Sequence, residues 1–383
     1  MKKILWTVAV TAFALTCCGK APSGNEPDPV SVPEPEITVF LQGGDISELT
    51  YVEQNGGKFY MDGKEMDCVK LLAQNGFNIV RLRLYNDPGN PAYSPSKRLP
   101  AGIQDETDIL RLARRAKAEG MQIELTFHYS DYWTNGRDQI KPHAWASLDF
   151  SGLKDAVYSY TRDFLKKMDA QGTSPEFVSL GNETQAGILY PDGAVSKMAN
   201  LRALYAAGAK AVREAAPNAR IIIHSDDAGN LEKYNWLYEE LKSVDYDVIG
   251  ASYYPFWTRK RVAPIIEWAK TVSDRFNKDI MIMETGYAWY PLAADGKAGQ
   301  ITDNGPYKEM TKAGQKAFMK ELFDSIKAVP KARIIGVLYW DPIFIPAGDT
   351  GWELGARNVV SNTTLFDFEG NALPVFDSFK NNL

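Results

Sequence analysis

Cysteine and histidine are nearly absent: the 383 residues contain 3 Cys and 3 His. Cys17 and Cys18 are adjacent near the N-terminus, which leaves Cys68 alone in the body. An internal disulfide framework and a Cys/His zinc cluster are therefore excluded. The single histidines His128, His143 and His224 keep only acid/base or hydrogen-bonding work open. An excess of positive charge is missing as well. Lys and Arg number 43 against 48 Asp and Glu, a formal net charge of −5. That balance argues against a nucleic-acid binder, whose surface must meet phosphates. There is no internal repeat at a fixed short period. What is plentiful is apolar and aromatic material, 45% hydrophobic with 9 Trp, 19 Tyr and 17 Phe. Such a composition supplies a large core and excludes a disordered chain. The aromatics have a second use besides the core, stacking on flat ligands such as sugars or bases.

The N-terminus reads as an address. Lys2 and Lys3 precede an apolar run over residues 4–15, and Thr16-Cys17-Cys18-Gly19 follows. This is a secretory signal pattern, and the run is shorter than the roughly 20 residues of a spanning helix. Cysteine directly after the apolar run resembles a bacterial lipoprotein box. Leu15 three residues before Cys18 favours Cys18 as the lipidated residue, with Cys17 as the alternative. Residues 1–18 are thus expected to be a lipoprotein signal peptide. Residues 19–36 alternate Pro22, Pro27, Pro29, Pro33 and Pro35 with Glu26, Asp28, Glu34 and Glu36. A stretch of this kind is extended and solvated and forms a tether. Export and lipid anchoring in the cell envelope follow as expectations, with the outer membrane favoured and its cell-surface and periplasmic faces both open. The folded body is expected over 37–383.

In the body, β-rich runs alternate with helical patterns. Strands are expected at 37–41, 78–84, 122–127, 177–180, 220–224, 248–252, 280–283 and 334–340. Helices are expected at 67–75, 107–119, 153–171, 198–215, 236–243, 262–277 and 313–328. Helix 107–119 carries Ile109, Leu110, Leu112 and Ala113 on one face and Arg111, Arg114 and Lys117 off it. Gly76 and Gly120 follow two of the helices, where a C-terminal cap favours glycine. Strand–helix alternation of this length predicts an α/β fold, a single (β/α)8 TIM barrel. A doubly wound sheet is the alternative, weakened because no Gly-x-Gly-x-x-Gly or phosphate loop follows any strand.

In such a barrel the active site forms at the C-terminal ends of the strands. Each expected strand ends in polar or aromatic residues. The first is followed by Asp45, the second carries Arg81 and Arg83, and the third is followed by His128 and Asp131. The fourth is followed by Asn182 and Glu183, the fifth by His224 and Asp226, and the sixth by Tyr254 and Trp257. The seventh is followed by Glu284, and the eighth ends in Trp340. Glu183 and Glu284 each close an apolar run, where a carboxylate is costly unless it faces a hydrated cleft. Two carboxylates converging on one cleft suit a glycosidase, which needs a proton donor and a nucleophile or base. The competing reading is a structural ion pair of either glutamate with Arg81 or Arg83.

Leu180-Gly181-Asn182-Glu183-Thr184 and Met283-Glu284-Thr285-Gly286-Tyr287 resemble the retaining glycosidases of clan A, whose two glutamates lie on strands four and seven. Five further stretches narrow the resemblance. These are Gly44-Asp45-Ile46-Ser47, Val80-Arg81-Leu82-Arg83-Leu84-Tyr85-Asn86-Asp87-Pro88 and Phe127-His128-Tyr129-Ser130-Asp131, then Ser252-Tyr253-Tyr254-Pro255-Phe256-Trp257 and Leu338-Tyr339-Trp340-Asp341-Pro342. Together, in this order, they are similar to glycoside hydrolase family 53, the endo-β-1,4-galactanases that cut the galactan side chains of pectin.

The resemblance implies Glu183 as acid/base and Glu284 as nucleophile of a retaining double displacement. It implies that Asn182 bonds the sugar 2-hydroxyl, that Arg81 and Tyr254 support the nucleophile, and that Trp340 floors the cleavage subsite. Asp45 and His128 would line the same pocket, and Arg83, Asp131 and Trp257 complete the expected substrate-binding set. Trp145, Trp289 and Trp352 stay open between core and cleft. Some bacterial members hold a structural calcium after strand seven on an Asp-x-Asp-x-His-x-Asn-like run. Residues 291–304 lack that run, and although Asp295, Asp303 and Asn304 offer oxygens, a plain polar loop is the simpler reading. No cofactor is required and no metal ligand is assigned. Galactan is the expected partner, with the membrane through the lipid anchor, no nucleic acid, and a monomeric state. A mannanase or cellulase of the same clan, or a glycan-binding lipoprotein without activity, are the alternatives.

Overall fold

A computed structural model describes residues 39–382. The signal peptide, the tether, Cys17 and Cys18 lie outside the described residues. From Val39 onward the chain folds as one unit. Eight parallel strands close a barrel: β1 Leu41–Asp45, β2 Ile79–Leu84, β3 Gln122–Phe127, β4 Phe177–Leu180, β5 Arg220–Ser225, β6 Val248–Tyr253, β7 Asp279–Thr285 and β8 Ile334–Tyr339. Each strand pairs with its neighbours in chain order, and β1 pairs with β8 to close the ring. This is the single (β/α)8 barrel expected from the alternation. Its strands are buried on nearly every residue because helices cover the sheet outside and side chains fill it inside. Among the described residues no helix is long and apolar enough to cross a membrane.

The first strand departs from expectation. It lies at Leu41–Asp45 and not at 37–41, and residues 37 and 38 fall outside the described residues. Leu41-Gln42-Gly43-Gly44-Asp45 reads weakly as a strand, because glycine is a poor strand former. The glycines are there for closeness. A Cβ on Gly43 would stand 1.7 Å from the Ile79 carbonyl oxygen, and one on Gly44 would stand 2.7 Å from that of Tyr339. Backbone approach at barrel closure therefore decided a segment that propensity could not.

The helix expected at 236–243 lies at Leu231–Glu240. Its start is set by Asn230, whose side chain accepts a hydrogen bond from the Lys233 N–H, satisfying one of the free donors of the first turn. Asp67, Asp105, Asp149 and Thr311 cap four other helices in the same way. At the N-terminal end of the strands the last residues fold back to close the barrel. Gln42 donates to the carbonyls of Gly76 and Phe379 at 2.6 and 2.7 Å, and Phe77 packs against Phe376 and Phe379. The opposite end is left open for the site.

Candidate active site

Arg81 on β2 organises the open end. One guanidinium nitrogen donates to Glu284 Oε1 at 2.7 Å, and the other to Asn182 Oδ1 at 2.6 Å. Its Nε donates to Thr126 at 3.1 Å and lies 3.5 Å from Glu124 and 3.7 Å from Asp45. Burial alone would favour the neutral form, but Glu284, Asp45 and Glu124 keep Arg81 charged. A single fixed cation on β2 thus ties in β1, β3, β7 and the end of β4 around the two expected carboxylates.

Glu284 is held on both oxygens. Arg81 bonds Oε1, and the Tyr254 hydroxyl donates to Oε2 at 2.9 Å. A bulge aims it: Ala251 pairs with Ile282 but Ser252 pairs with Glu284, so Met283 is an extra residue in β7. Bulges of this kind re-aim side chains beside functional sites. Glu183 follows β4 in a left-handed conformation, φ +46°, a strain of about 1–3 kcal/mol that surrounding contacts must sustain. The Ser252 hydroxyl donates to its Oε1 at 2.8 Å. Burial first, then the charges of Glu284 and Asp226, push the Glu183 carboxyl up to about 8. Oxygens of Glu183 and Glu284 lie within 4.8 Å of each other, which suits the carboxyl separation of about 5–5.5 Å in retaining glycosidases and not the wider inverting one.

Glu183, Glu284 and Asn182 line an open cleft of about 690 Å³. Trp340, Trp133 and Trp352 stack edge and face along one wall, with ring centroids 5.2–6.4 Å apart. Trp257, half exposed, packs on Tyr254 at 4.6 Å and presents its ring to the cleft at the opposite side. Aromatic faces with polar groups between them match the alternating C–H and hydroxyl faces of a sugar chain.

Residues 41–379 match the family described as glycosyl hydrolase family 53. The chain belongs to glycosyl hydrolase family 53. It is 30% identical to an endo-β-1,4-galactanase of Bacillus subtilis over 89% of this chain and 85% of that protein. It is 30% identical to an arabinogalactan endo-β-1,4-galactanase of Cellvibrio japonicus, covering 99% of this chain and 97% of that one. Among solved structures, the family 53 catalytic domain from Ignisphaera aggregans superimposes with a TM-score of 0.84 at 33% identity, over 91% of this chain and 98% of that one.

Within this family 53 barrel the expected site residues divide. Glu183, Glu284, Asn182, Tyr254, Trp257 and Trp340 converge on the cleft, and Arg81 lies directly beneath them. Three others do not reach it. Asp45 is fully buried, accepting from Ser47 and pairing with Arg83 at 2.8 Å. His128 is buried, shares a hydrogen bond with the Thr134 hydroxyl at 2.7 Å and stacks on Tyr85. Asp131 is buried between loops, accepting from the N–H groups of Asp87 and His143. As placed, these three bond to neighbouring protein groups and brace the strand ends. A strand end carries its side chains at several depths, and these three point below or beside the opening.

Arg83 borders the cleft, but its guanidinium pairs with Asp45 and Glu48 and lies 4.4 Å from the Trp133 ring centroid. It holds the aromatic wall from behind. Of the open tryptophans, Trp352 lines the cleft, whereas Trp145 and Trp289 are buried against Tyr160 and Phe368. Residues passed over in the sequence include Ser252 against Glu183, Thr134 whose carbonyl accepts from Asn182, and Gln139 whose amide bonds the Asn182 carbonyl. None has a signal of its own, since each is a common residue whose role comes from its neighbour.

The loop in which the resemblance places a calcium does not fit one. Asp295 is ion-paired with Arg357 at 2.6 Å and Asp303 with Arg259 at 2.6 Å. The Asn304 side chain bridges the Ala288 main chain through both its oxygen and its nitrogen. Both oxygens of Asp295, one oxygen of Asp303 and the Asn304 side-chain carbonyl are already bonded to arginines and backbone.

Proposed function

We propose that the protein is an endo-β-1,4-galactanase acting with retention, with Glu183 as acid/base and Glu284 as nucleophile. The observation that carries this reading is the unequal pair. Glu284 is clamped on both oxygens by Arg81 and Tyr254, while 4.8 Å or less away Glu183 is raised to about 8. One carboxylate is thus ready to attack while the other still holds a proton for the leaving oxygen. Family membership and the galactanase relatives supply the substrate class.

In the first step Glu284 attacks the anomeric carbon, and Glu183 protonates the departing glycosidic oxygen. The ester neutralises Glu284, which removes one of the charges that held the Glu183 proton. Glu183 then accepts a proton from the incoming water, whose oxygen bonds the anomeric carbon as the bond to Glu284 breaks and frees its carboxylate. Asn182, fixed by Arg81 on its oxygen and by the Thr134 carbonyl on its nitrogen, is oriented for the 2-hydroxyl of the sugar. All these residues come from one chain, so the reading needs no second copy.

A digest of linear β-1,4-galactan, run beside β-mannan and cellulose and followed by proton NMR, tests the reading. Galactan alone should be cut, and the first-formed reducing ends should be the β-anomer. Initial release of the α-anomer, or comparable cutting of mannan, would overturn it.

We further propose export and lipid anchoring through Cys18, supported by the lysines, apolar run and cysteine of residues 1–18. Cys18→Ser should move the activity from the membrane fraction to the soluble fraction. Unchanged fractionation, with Cys17→Ser solubilising the protein instead, would transfer the assignment to Cys17.

A further inference from the structure

A closed circuit of hydrogen bonds begins and ends on Glu183. Its main-chain N–H donates to Nδ1 of His224 at 3.4 Å. Nε2 of His224 meets the Ser252 hydroxyl at 2.9 Å. That hydroxyl donates to Glu183 Oε1 at 2.8 Å. Strand register brings the partners together, since His224 on β5 pairs with Gly250 on β6, two residues before Ser252.

The circuit has only one consistent direction. A neutral imidazole offers one N–H and one lone pair. Nδ1 faces the Glu183 N–H and must present its lone pair, so the ring proton sits on Nε2. The Ser252 oxygen then accepts from Nε2, which commits the single hydroxyl hydrogen to Glu183 Oε1. Reversing the circuit would place a proton on Nδ1 against the main-chain N–H. An imidazolium would create the same conflict. Complete burial, followed by the nearby Arg81, holds the His224 pKa well below its ordinary value, so the ring stays neutral.

We infer that His224 and Ser252 fix Glu183 Oε1 as a permanent hydrogen-bond acceptor and so assign the transferable proton to Oε2. Oε2 takes no hydrogen bond among the described residues, and Glu183 lines the cleft. As an acid, Glu183 keeps its carbonyl oxygen toward Ser252 and its O–H toward the leaving group. As a base, it keeps the same bond and takes the proton from water on the same Oε2. His224 and Ser252 are positioning residues that touch neither sugar nor water. The inference rests on Glu183 being the acid/base.

The test is the pH profile of kcat/KM on galactan for Ser252→Ala, with melting temperature recorded alongside. Losing the donor to Oε1 disfavours the ionised form, so the alkaline limb should move up by about one pH unit. Loosened aim should lower kcat by about 10- to 100-fold, with KM changed little. Ser252→Thr, which keeps the hydroxyl, should return the limb toward its original position. An alkaline limb unmoved in Ser252→Ala would overturn the inference, whatever the fall in kcat. If that variant fails to melt cooperatively, Ser252→Cys gives the same decision, being close in size and a weaker donor. Glu183→Gln separates the two layers. Near-original turnover there would refute the acid/base reading itself, whereas a crippled Glu183→Gln beside an unmoved limb refutes only the circuit.

Discussion

Glu284→Ala is expected to abolish galactan hydrolysis, lowering kcat on the order of 10⁵- to 10⁶-fold, the scale on which removal of a covalent nucleophile acts. The carboxylate is the endpoint of the surrounding design. Arg81 reaches it at 2.7 Å and Tyr254 at 2.9 Å, and the bulge in β7 turns it into the cleft. Asp138, Asp226, Asp227 and Glu353 also line the cleft, but among the described lining carboxylates Glu284 alone pairs with Arg81, and Glu183 is occupied with the leaving oxygen. Removing Glu284 also leaves the buried Arg81 short of its nearest anion, which costs about 3–5 kcal/mol when one partner of a buried pair is lost. Glu284→Gln preserves the shape and removes only the negative charge, so it separates loss of chemistry from loss of fold. Release of reducing sugar with melting temperature in parallel checks both variants. Substantial turnover by a folded Glu284→Gln would overturn the assignment.

Glu183→Ala should behave differently, and the difference is the diagnostic. On galactan, kcat/KM should fall by about 10²- to 10⁴-fold, the usual worth of a positioned proton donor. On an aryl galactoside with a good leaving group the first step needs no acid, so that step should be largely spared. The second step still lacks its base, and added azide should restore turnover by attacking without one. The pH profile supplies the sign. Glu183 must be protonated to act first, and burial, reinforced by Glu284 and Asp226, raises it to about 8. In the original protein kcat/KM should therefore fall as pH rises through about 8. In Glu183→Ala that alkaline limb should disappear. Equal losses on galactan and the aryl substrate would sink the acid role.

Much of this site was legible before any coordinates. Asn182-Glu183 and Glu284 stand out because a carboxylate at the end of an apolar strand is expensive, and barrel architecture brings such ends to one mouth. Trp340 and Trp257 were legible for the same reason. Asp45, His128 and Asp131 carried the same signal but lie buried outside the cleft lining, because a residue's position along a strand does not state its depth. The partners of Glu183 were least visible. Ser252 has no signal of its own, and His224, though visible at a strand end, is joined to it only by register between β5 and β6, a relation that no single strand encodes.

The linear sequence determined the order of the elements, seven of the eight strands as β-rich runs alternating with amphipathic helices, the two glutamates, and the excess of aromatics. These depend on local periodicity and residue chemistry, which act over a few neighbours. Only the tertiary structure decided the start of β1, where glycine serves the approach of neighbouring backbones. It alone decided which strand-end groups face sugar and which brace Arg81 and Arg83 below. It alone raised the proton affinity of the Glu183 carboxyl. Those properties depend on distance, burial and charge between segments far apart in the chain, and closure of the barrel is what brings them within reach.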